Sequence, residues 1–297
     1  MAPPSSAETS WTTRRLLNWT RDYFERQGLD QARLAAEILL AHVLETDRIQ
    51  LYTEPDRPAS ELERAAYREL VERAVNDEPV DYLVGESPFF SMKFRVTPEV
   101  LIPRPSTETV VEHIVQHARR TPGFRSPLVA DIGTGSGAIA VAVAKHVPGS
   151  QVIATDVSEA ALEIARENAA AHGVDDVIDF RLGPLLEPIA NEPVNYLASN
   201  PPYISDAEWE EVPPNVRDHE PAAALRAGWD GLEILRPLIT HAAEHLQRSG
   251  QIVFEFAASQ KDAVLELAGE ADGLTHEHVL ADHEGLPRVL VAESVTA

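Results

Sequence analysis

The run Leu197-Ala198-Ser199 ends at Asn200-Pro201-Pro202-Tyr203, and the two prolines decide what can happen there. Each removes a backbone donor and fixes a φ angle, so a central strand cannot continue through them. The carbonyls around them stay out of the sheet ladder and can meet a ligand, with the Asn200 amide beside them and the Tyr203 ring just after. An amide oxygen, a free carbonyl and a ring form a cradle for a planar NH2 group. Taken alone, the same tetrapeptide also reads as an ordinary turn.

A second stretch changes that balance. Gly133-Thr134-Gly135-Ser136-Gly137 follows the apolar run Val129 to Ile132 and precedes Ala138-Ile139-Ala140, the pattern of a buried strand, a glycine turn and a helix. Glycines let a backbone approach a ligand closely, and a helix N-terminus favours polar or anionic groups. About 20 residues on, Val152-Ile153-Ala154-Thr155 ends in Asp156, where such folds place a carboxylate on ribose hydroxyls. Asp156 could instead cap the helix that begins at Ser158. Arg104 lies between Pro103 and Pro105; an extended backbone there suits a side chain aimed into a cleft and equally suits a solvated linker.

These residues need a scaffold, and the periodicity supplies one. Strand and helix alternate from residue 129 onward: helix 159–171, strand 177–180, the strand ending at Asn200, helix 231–246, strand 251–255, helix 262–268, and a closing strand pair at 275–280 and 288–291. That alternation is a doubly wound α/β sheet, and ligands bind at the carboxyl ends of its strands. The glycine loop and Asn200 are therefore expected to face one cleft. Upstream, residues 14–27 carry Leu16, Leu17, Thr20, Tyr23 and Phe24 at helical spacing before Gly28. Asp30 is placed to cap a second helix with Leu34, Ile38, Leu39, Ala41 and Leu44 as its buried face, and residues 61–74 predict a third. Residues 90–96 alternate like a hairpin strand. Pro105 and Ser106 open a helix whose stripe is Val110, Val111, Ile114 and Val115. Three segments are expected: a helical one over residues 11–88, a hairpin connector over 89–105 and an α/β domain over 106–297.

Composition narrows the function. The chain of 297 residues carries a formal charge of −23, which argues against a main task of gripping a nucleic-acid backbone through Lys and Arg. Without cysteine there is no disulfide, thiolate zinc site or Cys nucleophile, and no metal is expected. Residues 1–10 are small and polar with no basic or apolar leader, and no apolar run reaches the ~20 residues of a membrane helix. A soluble, cytoplasmic protein is expected.

The glycine spacing G-x-G-x-G differs from the G-x-G-x-x-G of hydride-transfer enzymes and resembles the nucleotide loop of class I methyltransferases. Together with Val100-Leu101-Ile102-Pro103-Arg104-Pro105-Ser106-Thr107-Glu108, Asn200-Pro201-Pro202-Tyr203-Ile204 and Val216-Arg217-Asp218-His219-Glu220-Pro221, it makes the chain similar to the peptide chain release factor glutamine N5-methyltransferase family. The likeness spans nearly the whole chain. A sister family acting on a ribosomal protein usually has serine where Pro105 stands. The resemblance implies a Rossmann-like class I methyltransferase sheet preceded by a helical, substrate-recognising domain. It also implies S-adenosyl-L-methionine as cofactor, release factors carrying Gly-Gly-Gln as protein substrates, and a monomer that binds no nucleic acid stably. By the family's pattern Asn200 Oδ1 and the Pro201 carbonyl accept the substrate amide and Tyr203 packs on its plane, these three being the catalytic residues, while Pro202 and Arg104 join them in binding substrate. Residues 133–137 (Gly133, Thr134, Gly135, Ser136, Gly137), Asp156, Leu185 and Asn200 hold the cofactor: glycines for the methionine part, Asp156 for ribose, Leu185 for adenine. The chain departs from the family at Pro184, Asn195 and Ser106, where acids are common, and at Ala257, often glycine. Adenine N6 methylation of nucleic acid, a non-catalytic S-adenosylmethionine-binding protein and an NAD-dependent dehydrogenase are the competing readings.

Overall fold

The computed structural model describes residues 11–124, 126–190 and 192–295. The small, polar residues 1–10 lie outside the described residues. In chain order the elements are α1 (Thr13–Gln27), α2 (Ala32–Val43), α3 (Gln50–Thr53), α4 (Glu61–Val75), α5 (Val80–Val84), β1 (Glu86–Phe89), β2 (Met92–Arg95), α6 (Glu108–Arg120), β3 (Leu128–Ile132), α7 (Ala138–His146), β4 (Gln151–Asp156), α8 (Glu159–His172), β5 (Ile178–Leu182), β6 (Val194–Ser199), α9 (Pro214–Arg217), α10 (Leu235–His241), β7 (Leu246–Glu255), α11 (Lys261–Glu270), β8 (Leu274–Ala281) and β9 (Pro287–Ser294). They divide into two compact units, residues 1–85 with 214–219, and residues 86–213 with 220–297. Among the described residues no helix is long and apolar enough to cross a membrane.

The first unit is helical. Thr12 accepts from the Arg15 amide to start α1, and Gly28 ends it in the left-handed region at φ 80°. A capping box between Ser60 and Glu63 starts α4. Asp30 does not cap α2; the residue before that helix is Gln31, itself left-handed and without a side-chain cap. The α2 face also differs from the expected one. Leu39 and Ala41 are buried as expected, but Leu34, Ile38 and Leu44 are only partly covered, and Ala35, Ala36 and Leu40 complete the face. Alanines there let α1 and α4 approach closely, and the buried Tyr67 hydroxyl reaches the Ala36 carbonyl at 3.1 Å.

The second unit begins with a hairpin, β1 against β2. Phe90 and Ser91, expected inside a strand, form its turn with φ of 49° and 61°. A seven-stranded sheet follows in the order β5-β4-β3-β6-β7-β9-β8. The first five strands are parallel, and β9 runs antiparallel between β7 and β8. Alternate residues of these strands feed two cores. Val129, Val152, Tyr196, Ala198 and Val253 belong to one, while Ala130, Ile153, Leu197, Ile252 and Phe254 belong to the other. Burial on both faces is why these strands read as nearly unbroken apolar runs. The helix expected over 231–246 is shorter: α10 begins at Leu235 and gives way to a 3-10 turn, and Leu246 already lies in β7. Pro237 explains the start, because a residue without an N–H fits only the first turn of a helix.

The chain leaves β3 for β4 and β5 on one side and returns to β6 on the other. Ile132 and Ser199, the last residues of β3 and β6, are register partners. The glycine loop and Asn200 therefore emerge side by side at the point where the strand order reverses, the place where open α/β sheets bind ligands.

Candidate active site

A cavity of about 500 Å³ opens above those strand ends. Its lining brings together Gly133, Thr134, Gly135 and Ser136, then Asp156, then Gly183, Pro184 and Leu185, then Asn200, Pro201 and Pro202. Glu99, Val100, Leu101, Pro103, Thr107, Pro221, Ala223, Ala224, Ile234 and Leu238 are among the further lining residues; Val100, Leu101, Pro103, Thr107 and Pro221 lie in the family-like stretches, but the sequence assigns none of them a site role. Three expected site residues do not line it: Gly137, Tyr203 and Arg104.

The glycine loop is held from below. The Thr134 amide donates to the Thr155 carbonyl at 2.8 Å, and the Thr134 hydroxyl donates to Asp131 Oδ2 at 2.6 Å, which also accepts from the Ala140 amide at 3.1 Å. Asp131 is fully buried; burial pushes its carboxyl up to about 7, against the pull of the Thr134 and Ala140 bonds. Asn168 donates to the Ser136 carbonyl at 2.8 Å. Gly133 and Gly135 have φ of 70° and 55°, and a Cβ built on either would meet nothing within 4 Å. Gly137 differs: at φ 81° its Cβ would stand 3.1 Å from the Ala165 Cβ. Its missing side chain lets α7 lie against α8.

Asp156 binds the loop to the neighbouring strand. Its Oδ2 accepts from the Gly135 amide and its Oδ1 from the Ser158 amide, each at 2.9 Å. The helix cap once open to Asp156 belongs to Ser158, whose hydroxyl accepts from the Ala161 amide. Across the cavity Leu185 adopts φ 47°. Together the bare glycine backbone, the carboxylates of Asp156 and Glu99 and the apolar Pro184, Leu185 and Leu238 suit a nucleoside with a polar, charged tail.

Asn200 is fixed by its amide. Its Nδ2 donates to Thr107 Oγ1 at 2.9 Å, and Thr107 donates in turn to Glu255 Oε2 at 2.6 Å, while Ser106 donates to Glu255 Oε1 at 2.8 Å. Glu255 is fully buried. Burial raises its pKa, while the two hydroxyls and the charges of Arg288 and Arg104 work the other way. Tyr203 keeps its proton, since burial pushes its phenol up to about 12. Its carbonyl is caught by Gln260 Nε2 at 3.0 Å, and the same nitrogen reaches the Gly231 carbonyl at 3.0 Å. Just beyond, Ile204 bridges Arg226. Arg104 is extended, as two flanking prolines require, with φ −97° and ψ 142°. Its guanidinium pairs with the buried Glu220 at 2.6 Å, whose other oxygen accepts from the Ile102 amide. Pro184 lines the cavity, while Asn195 accepts from the Leu128 amide at 2.8 Å, away from it.

Comparison with known proteins places this geometry among methyl-transferring enzymes. Residues 15–85 match the PrmC N-terminal domain and residues 105–212 the methyltransferase small domain. The chain is 42% identical over 290 residues to a release factor glutamine methyltransferase of Rhodopirellula baltica, covering 96% of this chain and 97% of that one. A release factor glutamine methyltransferase of Geobacter sulfurreducens is 40% identical over 280 residues, covering 94% and 96%. The catalytic domain of hMettl16, solved with the MAT2A 3'UTR hairpin 6, superposes with a TM-score of 0.54 at 18% identity over 70% of this chain and 77% of that chain. A methyltransferase from Pyrococcus furiosus gives 0.50 at 17% identity over 70% and 91%. At such identities the two structures speak for the fold alone.

Proposed function

This chain belongs to the release factor glutamine methyltransferase family, and from that premise we propose that its cavity methylates the side-chain amide nitrogen, N5, of the glutamine in the Gly-Gly-Gln motif of peptide chain release factors. The observation that carries the reading is Asn200, directly after the end of β6, lining the same cavity as the glycine loop and Asp156.

S-adenosyl-L-methionine supplies the methyl group, carried on a positively charged sulfur. Gly133, Thr134, Gly135 and Ser136 offer it bare backbone, Asp156 a carboxylate for ribose, and Leu185 an apolar wall for adenine. A carboxamide nitrogen is a poor nucleophile, because its lone pair is shared with the carbonyl. Asn200 Oδ1 and the Pro201 carbonyl accept its two N–H groups, which localises electron density on nitrogen and fixes the direction of the lone pair. Pro202 packs on the amide plane, and Tyr203 supports it from outside the lining. The work is orientation and electrostatics. Arg104 acts indirectly, holding Glu220 and with it the backbone that carries Pro103. The helical unit recognises the protein substrate. We place the enzyme in the cytoplasm as a monomer without stable nucleic-acid binding.

The test is incubation of the full chain with labelled S-adenosylmethionine and, in parallel, a release factor carrying Gly-Gly-Gln or an oligonucleotide. Label is expected in the release factor alone. Asn200→Ala should cut turnover about 10²-fold, the loss typical of one preorganised polar contact. Label in the oligonucleotide, or normal turnover in a folded Asn200→Ala, would reject the reading.

A further inference from the structure

We infer that Thr107, anchored by the buried carboxylate of Glu255, is a positioning residue that decides which end of the Asn200 amide faces the cavity. The inference rests on the proposed role of Asn200 Oδ1 as acceptor for the substrate amide, and deepens it.

A threonine hydroxyl has a single hydrogen to give, and each Glu255 oxygen already accepts one hydroxyl, Oε1 from Ser106 and Oε2 from Thr107. At 2.6 Å from Glu255 Oε2, Thr107 Oγ1 spends its hydrogen there, in a short bond. Toward Asn200, 2.9 Å away, the same oxygen has only lone pairs to offer. The NH2 end of the amide must therefore point at Thr107, which leaves Oδ1 for the cavity. Were the amide reversed, Oδ1 would face an oxygen with no hydrogen left, and the NH2 would meet the N–H groups of the glutamine to be methylated. Both contacts would be repulsive.

The support is rigid. Thr107 is 4% exposed and ends the turn Pro105–Thr107 just before α6. Its amide donates to the Arg104 carbonyl at 3.0 Å. Ser106 gives Glu255 a second hydroxyl at 2.8 Å, so both carboxylate oxygens are engaged from the same turn. Thr107 is the residue of this group that also lines the cavity beside Asn200.

The experiment uses the full chain, a release factor carrying Gly-Gly-Gln, and four variants: Thr107→Val, Thr107→Ser, Asn200→Ala and the double variant Thr107→Val with Asn200→Ala. Thr107→Val should lower kcat about tenfold, less than the ~10²-fold loss for removing the acceptor itself, with the Kd for S-adenosylmethionine by calorimetry within about twofold of the parent. Thr107→Ser, which keeps the hydroxyl, should restore kcat to within about twofold. In the Asn200→Ala background Thr107→Val should cost nothing more, because residues that act through one another are not additive. Should Thr107→Val fail to fold, Thr107→Ala carries the same comparison. An unchanged kcat in Thr107→Val, a Thr107→Ser as slow as Thr107→Val, a tenfold cost persisting without Asn200, or a loss confined to cofactor binding would each overturn the inference. If Asn200→Ala still loses activity in those cases, the proposed function stands without it; if Asn200→Ala is fully active, both fall.

Discussion

The three glycines of the loop look equivalent in the sequence, and the structure predicts that they fail differently. At Gly137→Ala the new Cβ would stand 3.1 Å from the Ala165 Cβ and 3.2 Å from its Cα, at φ 81°. Left-handed backbone costs an L-residue about 1–2 kcal/mol, and forcing an extra methyl into a packed contact about 1–3 kcal/mol. Because α7 and α8 can yield by a few tenths of an ångström, the lower half of that sum, about 2–3.5 kcal/mol, is expected. Gly135→Ala carries only the backbone cost, about 1–2 kcal/mol, because nothing stands within 4 Å of its Cβ. That open space belongs to the cavity, however, so the methyl takes room from the ligand. The assay is a urea midpoint at unchanged slope for each variant, paired with calorimetry of S-adenosylmethionine binding under folding conditions. Gly137→Ala should show the larger loss of stability and a Kd within about threefold of the parent; Gly135→Ala should be the more stable of the two and bind at least about tenfold more weakly, a difference of ~1.4 kcal/mol. A stable Gly137→Ala that has lost cofactor binding would refute this division of labour.

Other consequences are as direct. Pro184 lines the cavity where the family commonly places an acid, so Pro184→Asp should tighten S-adenosylmethionine by the worth of one hydrogen bond, about two- to twelvefold, with single-turnover methylation little changed; an unchanged or weaker Kd would mean that the missing acid does not limit binding. Asp131 has its carboxyl raised from 3.8 to about 7, so its neutral form stabilises the fold below pH 3.8 and that contribution is lost as pH rises to 7. Unfolding free energies of Asp131→Asn should therefore gain on the parent by about 2–3 kcal/mol between pH 5 and pH 8, and a pH-independent difference would count against a buried, neutral acid. A chain beginning at Glu86, the first residue of β1, should retain cofactor binding yet methylate an intact release factor poorly, and full activity would remove the substrate-recognition role from the helical unit.

What could be read from the sequence was local. Two prolines after an apolar strand, glycines between a strand and a helix, and a carboxylate ending the next strand are each encoded within a few residues, and all end at one cavity. Contacts that depend on distant chain escaped it. Thr107 and Glu255 are 148 residues apart, and nothing near either says that one will hold the other. Arg104 could be read as extended but not as Glu220's partner 116 residues on. Gly137 followed the spacing of its neighbours, yet its role depends on Ala165 in the next helix. The α2 face was misread because leucines draw a periodicity argument toward themselves, whereas Ala35 and Ala36 lie in the close contact.

The catch formed by Gln260 has an implication for how such an enzyme can change. One side-chain nitrogen holds the carbonyls of Tyr203 and Gly231, and the Ile204 bridge to Arg226 narrows the neck again. The chain between leaves the sheet and returns through a fixed gate. With both ends already tied, doubling the length of that excursion would cost only about 0.6 kcal/mol of closure entropy. Residues 206–213, ahead of Glu220 and the cavity-lining Pro221, Ala223 and Ala224, can accordingly be lengthened, shortened or rewritten while Asn200, a few residues before the gate, keeps its place, so selectivity for new protein surfaces can change without renegotiating the chemistry.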